Sequence, residues 1–388
     1  MPNSGFMALP APDALTRAHG ERVSALIRAE IGRVGGWISF ARYMELALYA
    51  PGLGYYVAGA AKLGEAGDFI TAPELSPLFG ATLATQVAEV LAQTGGRVME
   101  LGAGSGRLAA DVLAALRDQG RLPERYQILE VSPDLAQRQR EILAARVPDL
   151  LDRVEWLDAM PRAFSGVVLA NEVLDALPIH LLAWKAGAVC ERGVSLEQGL
   201  FGWSERPLPP GPLRDAAAAI TVEGPYLSEI SLAVPALVAA LGTALERGVL
   251  LLIDYGFGRA EYYHPQRSQG TLMCHYRHRA HGDPLFLPGL QDITAHVDFT
   301  AVAEAGIDAG LNLLGYTTQA QFLVNAGITQ LLQKNSPEHL QAYVPAVAGV
   351  QKLLSPAEMG ELFKVIALGR GIERAPSGFA RGDKSRLL

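Results

Sequence analysis

The stretch that decides the fold is Val98-Met99-Glu100-Leu101-Gly102-Ala103-Gly104-Ser105-Gly106, a short apolar run followed at once by closely spaced glycines. The run predicts a buried strand, and the pattern of residues 108–119 after the glycines predicts a helix. Glycines between a strand and a helix let the backbone turn tightly and let a ligand approach closely. The sequence therefore predicts a ligand-binding turn of the Rossmann kind.

Further apolar runs follow this turn and alternate with helical patterns. We predict strands at residues 126–131, 154–157, 166–170, 249–253 and 317–323, and helices at 133–146 and 299–309. Strands that alternate with helices indicate βαβ units and a parallel sheet. The expected fold class is therefore α/β, with a Rossmann-like sheet.

The chain of 388 residues is long for one domain, so we expect elaborations around this sheet. We predict a helical N-terminal extension with an ordered loop (1–95), a core (96–330) and C-terminal helices with a tail (331–388). Insertions are expected at about 179–247 and 256–298. Within these regions we predict helices at 15–34, 40–48, 77–93, 228–245 and 329–369, a hairpin at 179–192 that turns at 185–187, and a loose tail from 375.

Composition limits the class of protein. The net charge of −7 disfavours general nucleic-acid binding, although residues 275–281 form a short basic run. Two cysteines, Cys190 and Cys274, give no disulfide framework and indicate a reducing compartment. The N-terminus lacks a secretory signal, and no segment has the apolar length to span a membrane. We therefore expect a cytoplasmic location.

The glycine turn differs from a dinucleotide site. A G-x-G-x-x-G pattern would need its third glycine at Arg107, whereas here that glycine is Gly106. Glu100, two residues before Gly102, is unfavourable beside a pyrophosphate and favourable beside a cation. S-adenosylmethionine carries a sulfonium and an ammonium group and no phosphate. It is therefore the cofactor that this turn, with Gly102, Gly104 and Gly106, predicts.

Polar residues follow the next strands, where ligands of such sheets bind. Glu130 is placed to accept the ribose hydroxyls, and Asp158 to reach the adenine amino group. Asn171, Glu172 and Asp175 follow the fourth strand. Each residue also has a structural interpretation: Glu130 or Asp158 can cap a helix or turn, and Glu172 and Asp175 can be solvated. Their order on successive strands favours the binding interpretation.

The sequence resembles the MidA-type methyltransferases, whose mitochondrial members are assembly factors for respiratory complex I. The resemblance covers roughly residues 20–370. The segments that carry it are 38–44, 52–56, 67–76, 170–178, 291–299 and the glycine loop, written ISFARYM, GLGYY, GDFITAPELS, ANEVLDALP, QDITAHVDF and ELGAGSG.

This resemblance implies a class I methyltransferase fold with S-adenosyl-L-methionine as cofactor. It places Gly102 and Gly104 on the cofactor loop, Glu130 at the ribose and Asn171-Glu172 in the motif after the fourth strand. It also implies arginine of a protein as the methyl acceptor. We further expect residues 67–76 to cover the cofactor, with Phe69 on the adenine or the methionine chain and Thr71 in hydrogen-bonding reach.

An arginine acceptor is a cation, so carboxylates must hold its guanidinium. Glu172 is the first candidate for this catalytic role and Asp175 the second, beside Asn171. Residues that can also line the acceptor side are Asp68, Asp254, Asp292, His296 and Asp298. The spacing of His275, His278 and His281 resembles a metal site, but the interleaved arginines would repel a cation, so we expect no metal.

Three functions remain open on the sequence. The first is protein arginine methylation, for example of a subunit of respiratory NADH dehydrogenase. The second is methylation of a small molecule, and the third is a non-catalytic assembly factor that binds the cofactor. The long insertions favour a protein partner.

Overall fold

A computed structural model of the chain describes residues 9–58, 71–185, 188–334 and 340–388. The chain divides into two compact units. One, the sheet unit, contains residues 71–175, 234–262 and 296–388. The other, the accessory unit, contains residues 1–70, 176–233 and 263–295.

The α-helices, in chain order, are α1 (Ala14–Arg33), α2 (Phe40–Tyr49), α3 (Ala72–Leu75), α4 (Pro77–Thr94), α5 (Arg107–Asp118), α6 (Pro133–Arg146), α7 (Pro212–Ala218), α8 (Ala233–Ala244), α9 (Arg259–Tyr262), α10 (Phe299–Asp308), α11 (Gln319–Asn325), α12 (Ile328–Gln333) and α13 (Leu340–Leu354). Short 3₁₀ turns lie at Pro148–Arg153, Pro265–Arg267, Ser377–Phe379 and Ser385–Leu387.

The strands, in chain order, are β1 (Trp37–Ser39), β2 (Arg97–Leu101), β3 (Tyr126–Leu129), β4 (Val154–Leu157), β5 (Phe164–Asn171), β6 (His180–Lys185), β7 (Ala188–Glu197), β8 (Leu200–Pro207), β9 (Tyr226–Ile230), β10 (Leu245–Phe257), β11 (Met273–Tyr276), β12 (Arg279–His281), β13 (Asp292–Thr294), β14 (Val297–Asp298), β15 (Asn312–Thr318) and β16 (Phe363–Arg370).

The sheet unit is built on a sheet of order β15-β16-β10-β5-β2-β3-β4, with β14 beside β10. The pairs from β10 to β4 are parallel, while β16 runs antiparallel to both β10 and β15. Apolar residues of these strands and of helices such as α4 and α5 form one buried core. This architecture confirms the predicted α/β, Rossmann-like fold class.

Register brings the predicted site residues to one edge of this sheet. Leu101 on β2 pairs with Leu129 on β3 and with Ala170 on β5, and Leu129 pairs with Leu157 on β4. The residues that follow these positions are Gly102, Glu130, Asn171 and Asp158. Parallel strands end on the same side, so the polar residues predicted from sequence share the carboxyl edge of the sheet.

The accessory unit contains two antiparallel sheets, one of order β1-β7-β6-β9 with β8 beside β7, the other of order β12-β11-β13. Helices α1 and α2 pack here. Ser39 caps α2, because its side chain accepts a hydrogen bond from the Arg42 amide at 3.1 Å. A buried cluster that includes Phe40 and Tyr43 forms the core of this unit. The predicted hairpin is β6–β7; its turn residues 186–187 lie outside the described residues.

The predicted helix over 329–369 is wrong in its last part. Residues Phe363–Arg370 form β16, which lies between β10 and β15, and all but its last residue are buried. A strand covered on both faces has no alternating pattern, so its sequence does not distinguish it from a buried helix segment. The predicted loose tail is also wrong, since Phe379 is buried against Phe322, with ring centroids 5.2 Å apart.

Two further boundaries differ from prediction. The expected helix over 228–245 is strand β9 followed by helix α8, and the expected strand over 317–323 is the end of β15 followed by helix α11. The division into units also differs from the expected regions, because α4 belongs to the sheet unit. Among the described residues, no helix is both long and apolar enough to cross a bilayer.

Candidate active site

The glycine loop links β2 to α5 through backbone that favours glycine. Gly102, Gly104 and Gly106 have φ angles of +58°, +52° and +88°. A Cβ atom at Gly106 would lie 2.9 Å from the Cα of Gln139, closer than real Cβ contacts allow. Gly106 is therefore required both by its backbone conformation and by the approach of α6.

Glu100 lies beneath this loop and is buried. Its Oε2 accepts a 2.6 Å hydrogen bond from the hydroxyl of Tyr126 on β3. Burial, opposed by this hydrogen bond and reinforced by the nearby Glu130 carboxylate, raises the pKa of Glu100 to about 7. The negative charge that Glu100 places below the loop therefore increases as the pH rises through about 7.

Glu130 follows β3, and its carboxylate accepts hydrogen bonds from nearby residues of the chain. Its Oε1 accepts from the Ser132 amide at 2.9 Å, and its Oε2 accepts from Nε2 of Gln139 at 2.9 Å. Ser132 is the residue that caps α6, since its hydroxyl accepts from the Leu135 amide. Burial raises the pKa of Glu130, while hydrogen bonds from the Ser132 amide, the Gln139 side chain and the Val131 amide act against that rise.

Gln139 was not predicted from the sequence. It lies on α6 with no exposed surface, and its amide contacts the glycine loop, Glu130 and β4. A glutamine in the middle of a helix carries no motif of its own. The available signal was a polar residue on the buried face of an otherwise charged helix.

Asn171 is the last residue of β5, and Glu172 follows it. Glu172 has a φ angle of +54°, a conformation that non-glycine residues rarely adopt. Its Oε1 accepts from Asn171 Nδ2 at 3.1 Å and from the Ala72 amide at 3.4 Å. Asn171 Oδ1 is buried and has no hydrogen-bond partner within the described part of the chain. A buried acceptor of this kind suits a ligand that donates hydrogen bonds, such as an ammonium group.

Asp175 and Asp254 are joined at the same edge. Asp254 is completely buried, and its Oδ2 accepts from the amides of Leu174 at 2.8 Å and Asp175 at 3.2 Å. The hydroxyl of Tyr255 donates a hydrogen bond to Asp175. Burial, with the charges of Asp175 and Glu172, raises the pKa of Asp254 well above its usual range. Asp254 thus supports the loop after β5 from below.

The segment that begins at Thr71 is tied to the glycine loop. Glu74 on α3 accepts a 2.5 Å hydrogen bond from the hydroxyl of Ser105 and pairs with Arg107 Nε at 3.0 Å. Thr71 precedes α3 and makes no side-chain cap. The predicted cofactor-covering residue Phe69 and the acceptor-side residue Asp68 lie outside the described residues.

The other predicted acceptor-side residues lie in different settings. Asp292 belongs to the accessory unit, where its Oδ1 accepts a 2.7 Å hydrogen bond from the Tyr56 hydroxyl. His296, in the sheet unit, packs against Tyr255 and stacks on Phe257. Asp298 caps α10 through the Thr300 amide at 3.0 Å and pairs with Arg259, so its carboxylate already has a structural role. Asp158 is exposed after β4.

The histidine run lies in the accessory unit on the β11–β12 hairpin, where Arg277 and His278 form the turn with positive φ angles. His281 is buried. Among the residues that the structure describes, no group of three or more His, Cys, Asp or Glu side chains is arranged to hold a metal ion.

The residues at the carboxyl edge fit S-adenosyl-L-methionine. The edge combines close backbone approach at the glycine loop, an unpartnered buried acceptor at Asn171 and carboxylates at Glu100 and Glu130. These groups suit a cationic ligand with an ammonium group and a ribose, and they would not suit a pyrophosphate. The fold and this edge together define a methyltransferase of the Rossmann-like class.

Comparison with known proteins agrees with that class. The family model for S-adenosyl-L-methionine-dependent methyltransferases matches residues 82–317. A crystal structure from Burkholderia thailandensis, of a superfamily member bound to S-adenosyl-homocysteine, has a TM-score of 0.96 and 53% identity, covering 98% of this chain and 100% of that one.

Curated relatives cover most of the chain as well. The protein arginine methyltransferase NDUFAF7 of Danio rerio is 31% identical, over 86% of this chain and 83% of the relative. The Drosophila melanogaster homologue is 30% identical, over 96% of this chain and 92% of the relative. The chain belongs to this family of S-adenosyl-L-methionine-dependent methyltransferases, as the resemblance predicted, and it is an enzyme of that class.

The expected cytoplasmic location is wrong on this comparison, because these relatives are named as mitochondrial proteins. The prediction was based on the two cysteines and on the lack of a secretory signal and of a membrane-spanning segment. None of these excludes mitochondria, since mitochondrial targeting segments are amphipathic and have no long apolar run.

Proposed function

We propose that this enzyme transfers a methyl group to an arginine side chain of a protein, with Glu172 and Asp175 holding the guanidinium. The observation that carries the proposal is the pair of carboxylates after β5, at the edge that also bears the glycine loop. The relatives named as protein arginine methyltransferases support the same acceptor.

An arginine needs carboxylates for a physical reason. Its guanidinium stays protonated at neutral pH and presents its N–H groups in a planar fork that matches carboxylate oxygens. The cofactor supplies the electrophilic methyl carbon. Glu172 would orient the guanidinium so that one nitrogen faces that carbon, and a carboxylate would favour loss of the proton that the nitrogen must release. The unusual backbone of Glu172 supports this role, because such strain is common at functional sites.

The neighbouring residues would hold this arrangement in place. Tyr255 and Asp254 restrain Asp175 through a hydroxyl and the backbone amides described above. Asn171 would contact both the cofactor and Glu172. We propose His296 as a secondary acceptor-side residue. We leave out Asp298, because it already caps α10, and Asp292, because it belongs to the accessory unit and accepts from Tyr56 there.

For the cofactor we propose contacts from the backbone of Gly102, Gly104 and Gly106, with Glu130 at the ribose. Asp158, exposed at the end of β4, would reach the adenine amino group. Thr71 would contact the bound molecule; Phe69 lies outside the described residues. Glu100 would act through its charge rather than by contact, because it is buried beneath the loop.

We propose a subunit of a respiratory NADH dehydrogenase as the protein acceptor. The test incubates the purified enzyme and methyl-labelled cofactor with extract from cells that lack it, followed by mass spectrometry of the labelled product. Label on arginine of a protein, lost by about 100-fold in Glu172→Gln while S-adenosyl-homocysteine still binds, is the expected result.

The matched control is Glu141→Gln, which makes the same change on the exposed surface of α6 and should leave transfer intact. Label found only on a small molecule would overturn the protein acceptor. Binding of the cofactor without transfer to any acceptor would overturn the catalytic proposal and indicate an assembly role.

A further inference from the structure

Gln139 joins three parts of the cofactor edge through one buried amide. Its Nε2 donates to the carbonyl oxygen of Gly104 at 3.1 Å and to Oε2 of Glu130 at 2.9 Å. Its Oε1 accepts from the indole Nε1 of Trp156 on β4 at 3.0 Å. The side chain thus connects the glycine loop, the carboxylate after β3 and the next strand.

The orientation of this amide is fixed by its partners. An indole N–H can only donate, so the amide oxygen must face Trp156 and the nitrogen must face Glu130. The main chain is equally constrained, because the Cα of Gln139 lies against Gly106. A rotation of the amide would leave a donor facing a donor and an unpaired buried carboxylate oxygen, which is costly.

We propose that Gln139 is the positioning residue for recognition of the donor's ribose: it holds the Glu130 carboxylate so that its remaining acceptor capacity faces the ribose hydroxyls. The inference rests on the proposed ribose contact of Glu130. It assigns to α6 a role in choosing the cofactor that is separate from the acceptor chemistry at Glu172.

The hydrogen-bond inventory of Glu130 supports this geometry. A carboxylate can accept about four hydrogen bonds. Glu130 accepts from the Ser132 amide on Oε1 and from Gln139 on Oε2, and the Val131 amide also interacts with the carboxylate. Acceptor capacity therefore remains for a ribose hydroxyl, and the bond from Gln139 fixes the direction in which Oε2 offers it. Without Gln139 the carboxylate would lose the side-chain donor on Oε2, and only backbone amides would still restrain it.

Charge supports the same conclusion. Burial raises the pKa of Glu130, and the hydrogen bond from Gln139 opposes that rise. The neighbouring carboxylate of Glu100 adds repulsion between the two groups. Loss of the Gln139 donor would therefore favour the protonated form of Glu130, which has less capacity to accept from the diol.

The test compares the affinities of S-adenosyl-homocysteine and its 2′,3′-dideoxy analogue by calorimetry. The unmodified protein should prefer the diol by at least about 10-fold, the value of one or two good hydrogen bonds. Gln139→Met keeps the length of the side chain and removes the donor. It should bind S-adenosyl-homocysteine about 10-fold more weakly and show little preference between the two ligands.

Two other variants separate the positioning role of Gln139 from its role in packing α6 on the sheet. Gln139→Glu keeps the acceptor for Trp156 but not the donor, so it should lose the preference even if Gln139→Met fails to fold. Gln137→Met is the matched control, because Gln137 lies on the same helix, is exposed and donates a hydrogen bond to Glu141 on that helix. It should keep both affinities.

The outcomes distinguish the two proposals. If the unmodified protein does not discriminate the dideoxy analogue, the ribose role of Glu130 fails and this inference fails with it. If Glu130→Gln abolishes the preference but folded Gln139→Met and Gln139→Glu retain it, only the role of Gln139 is overturned. A merely structural role would lower the melting temperature and leave the preference between the two ligands unchanged.

Discussion

The hydroxyl of Tyr126 donates a 2.6 Å hydrogen bond to Oε2 of Glu100, and both side chains are buried on neighbouring parallel strands. The pair connects β3 to β2 directly below the glycine loop. The fold therefore keeps a carboxyl group with a pKa of about 7 beside the site of a cationic cofactor. Such a group changes charge around neutral pH.

We expect Glu100→Gln to change the pH dependence of stability. Because folding raises the pKa of Glu100 from 4.5 to about 7, the protonated group favours the folded state below about pH 4.5, and that contribution is lost as the pH rises through 7. The variant should gain free energy of unfolding relative to the parent between pH 5 and 8, by up to about 3 kcal/mol. Urea unfolding at several pH values measures this difference.

The comparison variant is Tyr126→Phe, which removes the donor that lowers the pKa of Glu100. It should shift the loss of stability to higher pH. A constant difference between Glu100→Gln and the parent across this range would contradict the assignment.

We expect Asp254→Asn to impair turnover without weakening cofactor binding. One oxygen of Asp254 serves the amides of Leu174 and Asp175, and the other serves the amide of Tyr255. An asparagine offers one acceptor oxygen, so at least one amide loses its partner and the loop after β5 shifts. The kcat should fall at least about 10-fold, with the Kd for S-adenosyl-homocysteine within about threefold. The control is Asp118→Asn, which makes the same change on the exposed surface. An Asp254→Asn enzyme with the kcat of the parent would refute the role of Asp254 in holding the loop after β5.

We expect Gly106→Ala to disrupt the cofactor loop. The added methyl group would meet the Cα of Gln139 at 2.9 Å, in a backbone conformation that alanine disfavours. Binding of S-adenosyl-homocysteine should weaken at least about 10-fold, since a misplaced loop loses more than about 1.4 kcal/mol. Gly120→Ala is the matched control. Gly120 has a φ of +64°, so alanine is similarly strained there, but no atom lies within 4 Å of the added methyl group. Equal affinities for the two variants would show that the contact with α6 is unimportant.

We expect Phe379→Ala to destabilise the sheet unit. Phe379 is 7% exposed and packs on Phe322 and against Gly315, so its removal leaves a cavity in the core. The free energy of unfolding should fall by about 3–5 kcal/mol, measured by chemical denaturation. Leu387 in the same tail is 55% exposed and serves as the control. Leu387→Ala should change the free energy of unfolding by less than about 0.5 kcal/mol. A small effect of Phe379→Ala would mean that the tail contributes little to the core.

Much of the site could be predicted from the sequence, because its residues directly follow the ends of parallel strands. The strand at Leu101 and its successors were located from local apolar runs, and parallel pairing then placed Gly102, Glu130 and Asn171 on one edge. Gln139 was not predictable in this way, because its contacts join residues from three separate elements. Its partners become neighbours only when α6 packs on the sheet.

The sequence by itself determined the parallel sheet, the glycine turn and the kind of cofactor, because these depend on short-range periodicity, on backbone freedom and on the charge of residues next to strand ends. Only the tertiary structure decided that residues 363–370 are a central strand, that Phe379 belongs to the core and that Asp254 holds the loop after β5. The reason is that burial on both faces of a strand and hydrogen bonds between distant residues leave no periodic signal along the chain.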